Sequence, residues 1–76
     1  MKDMIISIHG LYDVYTFIEK AQLVCGDVNV KRGVYCVDGK SALGVLSIDM
    51  SQDVTVTYPA SAKKFEEFIK QFEVNK

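Results

Sequence analysis

Apolar and polar residues change their period several times along the chain, and each change predicts an element. Met4-Ile5-Ile6-Ser7-Ile8 is an apolar, β-branched run that reads as a first strand, closed by His9-Gly10. Being apolar on both faces, it is expected in the middle of a sheet. Val14, Phe17, Ile18, Ala21 and Val24 then recur at helical spacing, with Glu19, Lys20 and Gln22 on the other side. This predicts a helix of about three turns, with Asp13 as its N-cap and Cys25-Gly26 as its stop.

Asp27-Val28-Asn29-Val30-Lys31 alternates, and beyond Arg32-Gly33 the run Val34-Tyr35-Cys36-Val37-Asp38 is again extended, so the two predict a hairpin. Val28 and Val30 share one face and Asn29 and Lys31 the other, which predicts a sheet covered on one side only. Asp38-Gly39 ends the run, and Ser41 is placed to cap a helix of about two turns over Ala42 to Ile48. Asp53 to Tyr58 gives a fourth strand with Val54, Val56 and Tyr58 inward, stopped by Pro59. Ser61 is the expected cap of a last helix, whose stripe of Phe65, Phe68, Ile69 and Phe72 must lie on the sheet. Burying each large apolar side chain contributes about 1.5–3 kcal/mol, so this stripe reads as core and not as a cofactor slot.

Seventy-six residues make one domain with one core, residues 1–76. The element order β-α-β-β-α-β-α predicts an α+β fold, a four-stranded antiparallel sheet covered on one face by helices. A ferredoxin-like sandwich has nearly the same order, and periodicity does not choose between them.

The formal charge is −1 and 49% of the residues are hydrophobic, a globular balance with no general pull toward nucleic acid or anionic membrane. Met1 to Ile8 is too short for a signal peptide and no apolar run spans a membrane, so a cytoplasmic protein is expected. Cys25 and Cys36 lack a CxxC spacing and His9 is the lone histidine, so two buried, reduced thiols are expected, with a disulfide or metal clip as the alternative. No cofactor, metal site, or hydrolytic or redox constellation is expected.

Lys40-Ser41-Ala42-Leu43-Gly44-Val45-Leu46-Ser47 resembles the Lys-Ser-Ile-Met-Gly-Val-Met-Ser segment of HPr, the histidine-containing phosphocarrier of the bacterial sugar phosphotransferase system. The family pattern runs without a gap from Phe17 to Ile48. The resemblance implies the family's open-faced β-sandwich. It also locates a departure. Family members carry a phosphoacceptor histidine before the first helix, within Gly-Leu-His-Ala-Arg-Pro, where helix N–H groups and an arginine balance the phosphate.

Gapless counting puts Gly10 at the histidine position, Tyr12 at the arginine and Asp13 at the proline; matching Gly10-Leu11-Tyr12 to Gly-Leu-His puts Tyr12 and Val14 there instead. Neither alignment restores the site, because a tyrosine hydroxyl is a poor phosphoryl acceptor and Asp13 adds negative charge. His9 is the one remaining acceptor candidate.

Ser41 matches the serine that a dedicated kinase phosphorylates in many Gram-positive members, and it is equally explained as an N-cap contributing about 0.5–2 kcal/mol. By resemblance, Ala42, Leu43 and Leu46 belong to an apolar patch that docks enzymes and a transcriptional regulator, Tyr12 and Tyr15 extend it, and Val45 and Ile48 point inward. The alternative folds Leu43 and Leu46 into the core. The leading expectation is a non-catalytic regulatory or protein-binding module, in this respect similar to catabolite repression HPr. The alternatives are an active phosphocarrier using His9 and a ferredoxin-like small-ligand-binding domain.

Overall fold

The computed structural model describes residues 1–74. The elements are β1 (Lys2–Ile6), α1 (Leu11–Gln22), β2 (Asn29–Arg32), β3 (Tyr35–Asp38), α2 (Ala42–Ser47), β4 (Val54–Tyr58) and α3 (Lys63–Lys70). The sheet order is β1-β4-β2-β3, with every neighbouring pair antiparallel. The fold is thus an α+β open-faced sandwich. A split βαβ unit would insert β3 between β1 and β2; here β2 pairs with β4 instead, so the ferredoxin-like arrangement is excluded.

Strand alternation separates the two faces as the sequence predicts. Ile6, Val30, Val54, Val56 and Tyr58 are buried in one cluster with Val14, Phe17, Ile18 and Ala21 of α1, Val45 of α2 and Phe65 and Ile69 of α3. The reverse face carries the rows Ile5, Thr55, Lys31, Cys36 and Asp3, Thr57, Asn29, Asp38, of which Thr55, Thr57 and Asn29 are half-buried and the rest exposed. In the core, the Phe65 ring meets Phe17 at 5.6 Å and Tyr58 at 5.8 Å between centroids, in tilted and edge-on arrangements. Phe68 and Phe72 pack on the cluster's margin.

Tyr58 reaches the core's edge with its hydroxyl, which donates to Glu66 Oε2 at 2.7 Å. Burial, reinforced by that hydrogen bond, pushes the Tyr58 pKa up, so it stays protonated as a donor. Lys2 Nζ lies 2.6 Å from the same Glu66 oxygen, tying β1 to α3. Among the described residues no helix is long and apolar enough to cross a membrane.

Six expectations need correction. β1 is an edge strand over Lys2–Ile6, not a central one over Met4 to Ile8. Its apolarity has another cause: Ile8 leaves the sheet and is buried, its N–H donating to Met50 O, while residues 72–74 cover the outer edge. There Ser7 N–H donates to Phe72 O at 3.0 Å and Val74 N–H to Ile5 O at 2.9 Å.

α1 starts earlier than the apolar spacing suggests, with Gly10 as N-cap, so Asp13 lies inside the first turn and does not cap. It also ends at Gln22, three residues before Cys25. Likewise the N-cap of α3 is Ala62, without a side-chain hydrogen bond; Ser61 contributes only its carbonyl, which accepts from Lys63 N–H. Finally, Cys25 and Cys36 are free but exposed, because one follows α1 and the other stands on the uncovered sheet face. The hairpin turn is Gly33-Val34, with positive φ at Gly33, which takes Val34 out of the strand.

Gly39 is where the chain passes from β3 to α2. Its N–H donates to Val28 O at 2.7 Å, and an added Cβ would lie 2.6 Å from Val28 Cγ1 and 3.1 Å from Val28 O. Gly39→Ala is therefore expected to destabilise by about 1–3 kcal/mol in urea denaturation.

Glu66 titrates below its ordinary value of 4.5, chiefly through the Lys2 hydrogen bond and then that of Tyr58. A depressed carboxyl stabilises the fold above its unfolded pKa, and that contribution disappears as pH falls through the folded value. Stability should consequently fall more steeply in the wild type than in Glu66→Gln as pH drops below 4.5, measured by denaturant titration at each pH.

Candidate functional site

Two contacts fix how α1 and α2 lie. Near the end of α1, Gln22 Nε2 donates to Lys40 O at 3.1 Å and Lys40 Nζ donates to Val24 O at 2.6 Å, just before α2 begins. At the other end, Leu11 and Val14 of α1 share a cleft with Val45 and Leu46 of α2. The helices are therefore antiparallel neighbours. Val45 is fully buried and Ile48 packs against the core, while Ala42, Leu43 and Leu46 remain exposed.

On α1, Leu11, Tyr12 and Tyr15 are exposed, and Leu11 and Tyr15 stand one turn apart. Tyr12 at 81% and Leu43 at 83% are nearly free of protein contact. Five large apolar side chains thus face solvent on two adjoining helices. Leu11 was not legible as part of this group, because a helix starting at Asp13 leaves it in a loop; reading the start at Leu11 makes it the i−4 partner of Tyr15.

Ser41 caps α2. Its Oγ accepts from Gly44 N–H at 3.2 Å, and its carbonyl accepts from Val45 N–H at 2.9 Å. It is half-buried, and the preceding turn is held by Asp38, whose Oδ1 accepts from Lys40 N–H at 2.9 Å. Ser41 and His9 lie at opposite ends of α2, since His9 lines the cleft near Leu46.

His9 is exposed, with Nε2 at 3.3 Å from Ser7 Oγ. Ser7 donates its only hydroxyl proton to Ser51 O at 2.7 Å, so toward the imidazole it accepts. In that arrangement Nε2–H donates to Ser7 Oγ. The cleft, of about 360 Å³, includes Asp49 in its lining and, among the described residues, no Lys or Arg.

Asp49 is held below the usual carboxylate value, first by the Ser51 hydroxyl and then by the Ser51 N–H, with a weaker pull from Arg32. The start of α1 has no side-chain cap, and a Cβ at Gly10 would lie 3.4 Å from Asp13 Oδ2. The helix start beside His9 thus faces carboxylates where a phosphate needs cations. Among the described residues no group of three or more His, Cys, Asp or Glu could hold a metal ion.

No family model, curated protein or solved structure matches the chain. The reading of this face accordingly rests on its own geometry and on the segment around Ser41.

The capping hydrogen bond sets a stability effect. Ser41→Ala should destabilise by about 0.5–2 kcal/mol and Ser41→Gly by only a few tenths, compared by urea denaturation. Equal losses in the two variants would show that the cap contributes nothing.

Proposed function

We propose that the chain is a non-catalytic, HPr-like regulatory module of the cytoplasm, which docks a protein partner through the α1–α2 face and is switched by phosphorylation at Ser41. The observation that carries this reading is the set of exposed apolar side chains, Leu11, Tyr12, Tyr15, Leu43 and Leu46, on two adjoining helices. Aromatic and leucine anchors inside a polar rim are what a protein interface offers. Asp13, Asp38 and Asp49 are spread around the same helices, so the partner surface is apolar with basic residues around it. By resemblance, the partner is a phosphotransferase-system enzyme, a kinase or a transcriptional regulator.

Phosphate on Ser41 would add about two negative charges beside the first N–H groups of α2. It would also stand near Asp38 and convert an acidic rim into a strongly acidic one. Binding to a basic partner would strengthen and binding to an acidic partner would weaken, which is the behaviour of a switch.

One observation favours a second reading, a phosphocarrier acting through His9: the imidazole is exposed beside a helix start that has no side-chain cap. The carboxylates of Asp13 and Asp49 weigh against it. Incubation with phosphoenolpyruvate, Enzyme I and Mg²⁺ separates the two; no acid-labile phosphate is expected, and its appearance on His9 would replace the binding module by the carrier.

The docking face is tested with Enzyme I and HPr kinase as partners, by isothermal titration. Leu43→Asp combined with Leu46→Asp should weaken binding by more than about 2 kcal/mol while leaving the thermal midpoint nearly unchanged, since neither side chain is in the core. An unaltered affinity would remove α2 from the interface.

A further inference from the structure

A second and larger cleft lies away from the α1–α2 face, where the end of α1 meets the start of α3. Its volume is about 490 Å³, within the range of about 300–1,000 Å³ typical of small-molecule sites. Val24 and Phe65, both buried in the core, form part of its wall, and Leu23 is 82% exposed beside them. Lys20, Lys63 and Lys64 complete the charged part of the lining, which among the described residues contains no Asp or Glu. Three lysines lining one cleft are a strong local excess in a chain of net charge −1.

Two of these lysines run against local helix preference, while Lys20 suits the last turn of α1. Lys63 and Lys64 open α3, where the aligned peptide dipoles already leave partial positive charge and where cations are unfavourable. Ala62 supplies no side-chain oxygen to offset it. Lys63 acts on Glu66 only as the weakest influence on that carboxyl, which Lys2 already pairs. The Val24 carbonyl, whose negative end would oppose an anion, is taken up by Lys40 Nζ at 2.6 Å. Two lysines where a helix start disfavours them, beside an apolar wall, are the departure from local rules that points to a ligand.

We infer that this cleft binds a small amphiphilic phosphate monoester, its dianionic head among Lys20, Lys63 and Lys64 and its apolar body against Leu23, Val24 and Phe65. Charge-assisted hydrogen bonds from ammonium groups suit a phosphate head, and the apolar wall selects esters over the inorganic ion.

Hexyl phosphate, inorganic phosphate and hexanol are compared by amide chemical-shift titration of the full chain. Hexyl phosphate should give saturable shifts at Lys20, Leu23, Lys63 and Lys64, with either half-ligand weaker by about tenfold or more. Lys63→Glu combined with Lys64→Glu should weaken hexyl phosphate by about tenfold or more and raise the thermal midpoint, because acids suit a helix start. Lys63→Gln with Lys64→Gln, which introduces no new charge, should also lose affinity. Absence of saturable shifts at the cleft, or equal affinity in the charge-reversed chain, overturns the site. So does co-sedimentation with anionic phospholipid vesicles when hexyl phosphate leaves the spectrum unmoved.

Discussion

Everything in this fold depends on one sheet face being buried against three short helices. A chain of this size conceals only about 60% of the surface that it exposes when unfolded, so the covered face has little redundancy. The contact at its centre is Phe65 between Phe17 and Tyr58, joining α3, α1 and β4. Tyr58 is tolerated there because its hydroxyl finds Glu66 at the margin, and Glu66 is in turn held by Lys2. The Tyr58 hydroxyl thus joins β4 to α3, and Lys2 joins β1 to the same carboxylate.

That economy explains the exposed apolar residues. The face of α2 turned inward is filled by Val45 alone, with Ile48 beside it, and Gly44 brings the helix close to Val37, where an added Cβ would stand 3.3 Å from Val37 Cβ. Six residues of helix leave Leu43 and Leu46 no inward direction once Val45 has taken it. On α1 the buried arc is occupied by Val14, Phe17, Ile18 and Ala21, which turns Tyr12 and Tyr15 outward. The apolar side chains on this face are surplus to the core, and a surplus of this kind is the physical basis for reading an interface.

Much of the architecture was legible because alternation and helical spacing report burial directly: Val28 and Val30, Val54 to Tyr58, and Phe65 and Ile69 of α3 lie as their periods require, while Phe68 is half-buried and Phe72 falls beyond the end of the helix. The cap of α2 was legible too, since Ser41 is a side chain that satisfies a helix start by itself. The starts of α1 and α3 were not, because Gly10 and Ala62 end those helices without a capping side chain and leave Asp13 and Ser61 as decoys. The place of β1 was misread for a different reason. A strand apolar on both sides looks central, yet here one side is satisfied by residues 72–74, a contact no local pattern announces. The lysine-lined cleft was equally hidden, because Lys20 is brought to Lys63 and Lys64 only by the packing of α1 on α3.

The covered edge of β1 has a bearing on how the molecule forms. Among the described residues β1 bonds only to β4, roughly fifty residues along the chain, and to residues 72–74. While the ribosome is extending the chain, the hairpin of β2 and β3 can close early, but β1 must wait with its amides in water. Such distant pairing slows acquisition of structure and prolongs exposure of Ile5, Ile6 and Ile8. Until it pairs, the β1 segment is therefore the stretch prone to self-association, and Lys2 and Asp3 set charge beside its isoleucines.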